Sequence, residues 1–109
     1  MKYKIIPTPE FIKNLKNLKK KYQNIKNDIS EVINNLEENP TIGTQLGNNT
    51  FKIRIKNSNN NKGKSGGYRM ITYFLNENNE LFLITIYSKS EKETILDNEL
   101  KRLVEEVAQ

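Results

Sequence analysis

Phe51-Lys52-Ile53-Arg54-Ile55-Lys56 is the stretch on which the fold turns. Apolar and cationic residues alternate with a period of two, so Phe51, Ile53 and Ile55 share one face of a strand and Lys52, Arg54 and Lys56 share the other. A helix would scatter both sets around its circumference. Downstream, Tyr68 to Leu75 and Leu81 to Tyr87 are β-branched and aromatic runs on either side of Asn76-Glu77-Asn78-Asn79-Glu80, which reads as a turn. Asn57 to Gly67 is low in complexity and rich in Asn and Gly, the composition of a hairpin loop. Three consecutive antiparallel strands follow.

Working outward, Lys2 to Ile6 is a short edge strand closed by Pro7, which cannot donate to a ladder. Thr8-Pro9-Glu10 then has the form of a helix start, with Thr as N-cap, Pro where its missing N–H costs nothing, and an acid at the positive dipole end. Phe11, Ile12, Leu15, Leu18 and Tyr22 recur at the helical period with lysines on the remaining faces. Ile25, Ile29, Val32, Ile33 and Leu36 form a second such series that stops before Asn39-Pro40. Two antiparallel helices joined near Gln23-Asn24 are the simplest arrangement. Thr41 to Thr50 reads as a loop, and Ser90-Glu91-Lys92-Glu93 as a capping box opening an amphipathic helix through Leu96, Leu100, Leu103, Val104 and Val107. The expected fold is α+β: an N-terminal strand, two antiparallel helices, a three-stranded antiparallel meander completing one sheet, and a C-terminal helix. The 109 residues are expected to form one domain, residues 1–109.

Cys and His are both absent, which removes disulfides, thiolate nucleophiles, the Ser-His-Asp triad and the common zinc sites. Catalysis would have to run on Lys, Arg, Tyr, Glu or Asp, and no cofactor is expected. No apolar run approaches the ~18 residues of a membrane span, and the N-terminus lacks the apolar stretch of a signal peptide, so a cytoplasmic protein without membrane contact is expected. The net charge is +5 and unevenly spread: residues 50–75 hold six basic residues and no acid, while residues 76–109 hold four basic and eight acidic ones. The middle third is a cation source suited to a polyanion.

Within it, Lys52, Arg54 and Lys56 stand about 6.5–7 Å apart along one strand face, close to the step between phosphates of an extended single strand. A solvated strand face is the plain alternative. Lys62, Lys64 and Arg69 add charge to the same stretch without a carboxylate. Gly63-Lys64-Ser65 is no phosphate loop, because the glycine required five residues earlier is Ser58 and a strand follows where a helix must open. No nucleotide cofactor is expected. Tyr73 reads as a packing residue. Tyr87 closes a strand directly before Ser88-Lys89-Ser90, where exposure and a helix N-terminus are expected to come together, so it can stack a base or deliver a proton.

Taken in order, the strand 51–56, the stretch Gly63-Lys64-Ser65-Gly66-Gly67-Tyr68-Arg69, and the strand end Ile86-Tyr87-Ser88-Lys89-Ser90-Glu91-Lys92 resemble a toxin of the RelE/ParE superfamily, nearer its RelE/HigB-like branch. The resemblance covers nearly the whole chain. It implies the toxin component of a type II toxin–antitoxin system, held inactive by a cognate antitoxin and cutting mRNA at the ribosome without a metal, thereby inhibiting translation. ParE-like relatives instead inhibit DNA gyrase, and a non-catalytic RNA-binding domain is the third reading. For the endoribonuclease, the resemblance implies Arg69 at the scissile phosphate, Lys52 and Arg54 in the catalytic group, and Tyr87 as stacking or proton-transfer residue. Lys56, Lys62, Lys64, Lys89 and Lys92 are expected to bind RNA. A lysine crowded by other cations sheds its proton more readily, which makes the basic strand a source of a general base. The sequence lacks the His that some RNA-cutting relatives use.

Overall fold

The computed structural model describes residues 2–59, 66–91, 95 and 97–107. Strand β1 (Lys4–Pro7) leads into helices α1 (Pro9–Lys21) and α2 (Ile25–Glu38). Strands β2 (Thr44–Gly47), β3 (Thr50–Ile55), β4 (Tyr68–Leu75) and β5 (Glu80–Ser88) follow, then helix α3 (Asp97–Val107). One five-stranded sheet results, in the order β1-β5-β4-β3-β2. β1 runs parallel to β5, and the other neighbours are antiparallel. The helical crossover through α1 and α2 is what permits that parallel pairing.

Local chemistry accounts for the entry to α1. Thr8 accepts the Phe11 N–H on its side-chain oxygen at 3.2 Å and donates to the Leu83 carbonyl at 2.8 Å, so one buried residue caps the helix and ties it to β5. Pro9 follows at the first helical position. α1 and α2 lay Phe11, Leu18, Ile25, Ile29 and Leu36 on one face of the sheet, against Ile53, Ile55, Met70, Leu83 and Ile86. Ile25 and Leu36 are fully buried, each contributing about 1.5–3 kcal/mol of transfer free energy. On the opposite face a smaller apolar layer of Ile71, Ile84, Tyr87, Ile95 and Leu103 lies under α3.

Two local features depart from the expected layout. Thr44–Gly47 forms a strand where a loop is expected, so the meander has four strands and the sheet five. Gly47 pairs with Thr50 across Asn48 and Asn49, whose φ values of 51° and 65° make the tight turn of a hairpin. At the C-terminus, Ser88, Lys89, Ser90 and Glu91 form the end of β5 and a turn, and the described helix begins at Asp97. The Ser90 hydroxyl is engaged by Ser88 at 2.8 Å and Tyr22 at 3.4 Å, and Glu93, the other half of the expected capping box, lies outside the described residues. Lys62, Lys64 and Lys92, residues 60–65 of the expected hairpin loop, and residues 92–94 and Leu96 of the expected helix lie outside the described residues. No helix among the described residues is long and apolar enough to cross a membrane.

Candidate active site

Strand register builds the site. Arg54 on β3 pairs with Arg69 on β4, and Arg69 pairs with Tyr87 on β5. The three therefore form one row across adjacent strands, which are about 4.8 Å apart. The row lies on the α3 side of the sheet, since Ile53, Met70 and Ile86, one residue along each strand, belong to the core under α1 and α2. Lys52 stands two residues from Arg54 on the same face, opposite Ile71. Arg54 and Lys56 are exposed and Lys52 half-buried. None of these three makes an ion pair with a described carboxylate.

Strict alternation would have put Tyr87 on the wrong side. Leu81 and Leu83 face α1 and α2, so a regular strand would send Thr85 and Tyr87 there too. A bulge intervenes: Ile71 pairs with Thr85 but Thr72 pairs with Leu83, leaving Ile84 extra on β5. Thr85 donates to the Asn14 side-chain oxygen on α1 at 2.5 Å, Ile86 enters the helix-side core, and Tyr87 emerges beside Arg69.

Electrostatics at the row are those of crowded cations. Arg54 and Arg69 are directly opposite, an arrangement that costs the free protein energy. Burial, then the charge of Arg54, hold the Arg69 guanidinium below its ordinary value, while Tyr87 acts in the other direction. Arg69 is only 3% exposed and donates to the Tyr68 carbonyl at 3.1 Å; Tyr87 is 7% exposed. The exposure expected at Tyr87 is thus not found: β5 continues through Ser88, and the ring packs in the apolar layer under α3. Tyr73 lies in that layer too, its ring 6.2 Å from Phe82. Arg54, Lys52 and Lys56 are the groups that solvent, and hence a ligand, meets.

The segment after Tyr87 is held from two directions. The half-buried Lys89 donates its backbone N–H to the Gly67 carbonyl at 2.9 Å, linking the end of β5 to the start of β4. Gly67 itself fits because it has no side chain: a Cβ there would collide with the Ile55 carbonyl oxygen. From the helix side, Lys21 pairs with Glu91 at 3.0 Å, and the Tyr22 phenol reaches Ser90. The hydroxyls of Ser90 and then Ser88 hold that phenol below its ordinary value. Lys21, Tyr22, Ser88 and Ser90 are absent from the sequence-derived site. A Ser-x-Ser next to a Tyr strand end is a weak signal without knowledge of the partner helix. A groove of about 520 Å³ runs between Leu46–Thr50 and α3, lined by none of the row's members.

The family model of the RelE toxin, of the RelE/RelB toxin–antitoxin system, matches residues 5–109. The chain belongs to the RelE toxin family. Among solved structures it is similar to a doubly substituted Escherichia coli toxin RelE in the free state, with a TM-score of 0.63 and 17% identity over 98% of this chain and 99% of that one. It is also similar to a chain of the intact E. coli RelBE toxin–antitoxin complex, with a TM-score of 0.60 and 17% identity over 77% of this chain and 93% of that one. At this identity the structural likeness establishes the RelE fold, in keeping with the α+β order expected from the sequence.

Proposed function

We propose that this RelE-family toxin is a metal-independent endoribonuclease that cuts mRNA on the ribosome and is restrained by a cognate antitoxin. The observation that carries the reading is the row Arg54–Arg69–Tyr87 with Lys52 beside it, two guanidiniums and a phenol converging on one sheet face. Cleavage by the neighbouring 2′-hydroxyl needs three things: removal of its proton, stabilisation of the charge on the pentavalent phosphorus, and a proton for the departing 5′-oxygen. The 2′-oxygen forms a bond to phosphorus as the P–O5′ bond breaks, leaving a 2′,3′-cyclic phosphate and a 5′-hydroxyl.

In this proposal Arg54 meets the non-bridging oxygens from solvent, and Arg69 adds its charge from the buried side, where the lower dielectric makes it count for more. Direct contact by Arg69 requires movement of whatever packs over it. Lys52 takes the 2′-hydroxyl proton, and Tyr87, once the layer packed over it moves, supplies a proton to the leaving oxygen or stacks on a base. Lys56 and Lys89 hold flanking phosphates, with Lys62, Lys64 and Lys92 in the same role. An antitoxin with an acidic segment would neutralise the same cations.

Induced expression with and without substitutions tests the reading. Wild type is expected to arrest growth and leave cleaved transcripts on translating ribosomes. Arg69→Ala is expected to abolish both, and Tyr87→Phe to slow cleavage by about 10²–10⁴-fold if the phenol moves a proton. Undiminished toxicity in Arg69→Ala refutes its role. Growth arrest with intact transcripts and DNA damage refutes the nuclease in favour of gyrase.

A further inference from the structure

The solvent side of α1 is a second cation source, and the sheet separates it from the row just described. Phe11 and Leu18 mark the buried side of this helix. At 100° per residue, Lys13, Lys16 and Lys20 project opposite them, spread over about 10 Å of axis at 1.5 Å per residue. All three are exposed, as are Lys19 and, on α2, Lys26. None of these five lysines pairs with a described carboxylate, whereas the adjacent Lys21 is taken by Glu91. Lys19 and Lys26 stand close enough across the two helices for Lys26 to hold the Lys19 ammonium below its ordinary value. Gathering like charges in this way works against the free protein and favours an anion that neutralises several at once.

The character of the patch selects the anion. It is the outer face of a helix, and neither cavity bordering α3 reaches Lys13, Lys16 or Lys20. Ile12 is the sole large apolar side chain exposed on α1. A protein partner needs an apolar centre to its interface, whereas a phosphate backbone needs only charge distributed along a line. We propose that Lys13, Lys16 and Lys20, flanked by Lys19 and Lys26, form a docking face for the phosphate backbone of double-helical RNA, on the side of the sheet opposite the candidate active site. The choice of RNA among polyanions rests on the nuclease reading. The protein would then touch RNA on both sides, cutting one strand while gripping a folded RNA behind.

Fluorescence anisotropy of a labelled 20-base-pair RNA duplex with the full chain, titrated with salt, tests this. Each phosphate contact contributes about 0.9 to the log–log salt slope. The triple variant Lys13→Gln/Lys16→Gln/Lys20→Gln should lose roughly two to three units of slope and bind about tenfold or more weakly at low salt. A variant with the same charge removed elsewhere, Lys2→Gln/Lys4→Gln/Lys101→Gln, should lose less than one. Thermal melts confirm that both variants remain folded. An unchanged slope in the α1 variant, or equal losses in the two variants, overturns the proposal. So does an α1 variant that loses affinity for a poly-glutamate peptide but keeps its grip on the duplex, since the face then belongs to an acidic protein segment. Wild type that binds the duplex through α1 yet cuts no mRNA sinks the nuclease alone. Wild type that cuts while the α1 variant keeps its slope sinks the docking face alone.

Discussion

Arg54 and Arg69 carry the same charge directly across a strand pair, and that juxtaposition sets a stability cost against a function. Opposed like charges destabilise a sheet by about a few tenths of a kcal/mol when, as at Arg54, solvent screens one of them. Arg54→Gln should therefore raise the midpoint of thermal unfolding slightly while lowering RNA cleavage by at least tenfold. Calorimetry beside a cleavage assay checks both, and a fall in the midpoint would show that Arg54 is held by interactions other than those described. In the proposed reaction lysine is not an equivalent at either position, because an ammonium cannot offer the planar fork that a phosphate accepts. The basic strand was legible in the sequence because a period of two assigns faces without knowledge of any partner, whereas Arg69 was singled out by the resemblance of the stretch 63–69 to the family. Burial of Tyr87 was not legible, since it depends on the layer under α3, which comes from far along the chain.

Among the elements, β5 decides the site through an irregularity. Its sequence, Leu81-Phe82-Leu83-Ile84-Thr85-Ile86-Tyr87, is apolar on nearly every residue, so nothing in it marks where alternation breaks. At the bulge Thr85 makes a contact 71 residues away in sequence, with Asn14 on α1. Thr85→Val should cost about 1–2 kcal/mol by leaving the half-buried Asn14 oxygen without its donor. Denaturant midpoints measure that loss, and a change below a few tenths would mean that packing alone sets the bulge. β2 was missed for a different reason. Its side chains are all exposed and carry no apolar pattern, and Asn48-Asn49 was the available signal, two residues that tolerate positive φ between what prove to be paired strands. The helices were legible because their apolar series is regular and Thr8, Pro9 and Pro40 mark their limits.

At the scale of the whole molecule, the sheet divides two layers of different character, and pH acts on them separately. Under α1 and α2 the Tyr68 phenol is fully buried and has no hydrogen-bond partner among the described residues, its ring edge-on to Tyr22 at 5.7 Å. Burial, then the charge of Asp28, push it well above its ordinary value of 10.0. Above pH 10 the unfolded chain loses this proton while the folded one keeps it, so stability present below that pH should fall by about 1.4 kcal/mol per pH unit. Tyr22 is shifted downward and opposes this, with Tyr68 the larger influence. Tyr68→Phe should be neutral or stabilising at pH 7 and should flatten the alkaline decline; an unaltered decline would assign it to other groups.

On the other side of the sheet, the proposed function has crowded cations and a phenol cleave an RNA linkage. The chemistry of the cut ends tests it most directly. Transcripts recovered from translating ribosomes exposed to the purified toxin should carry new 5′-hydroxyl ends and 2′,3′-cyclic phosphates, both disappearing with Arg54→Ala/Arg69→Ala. Intact transcripts, 5′-phosphate ends, or the same ends produced at full yield by the double variant would contradict it.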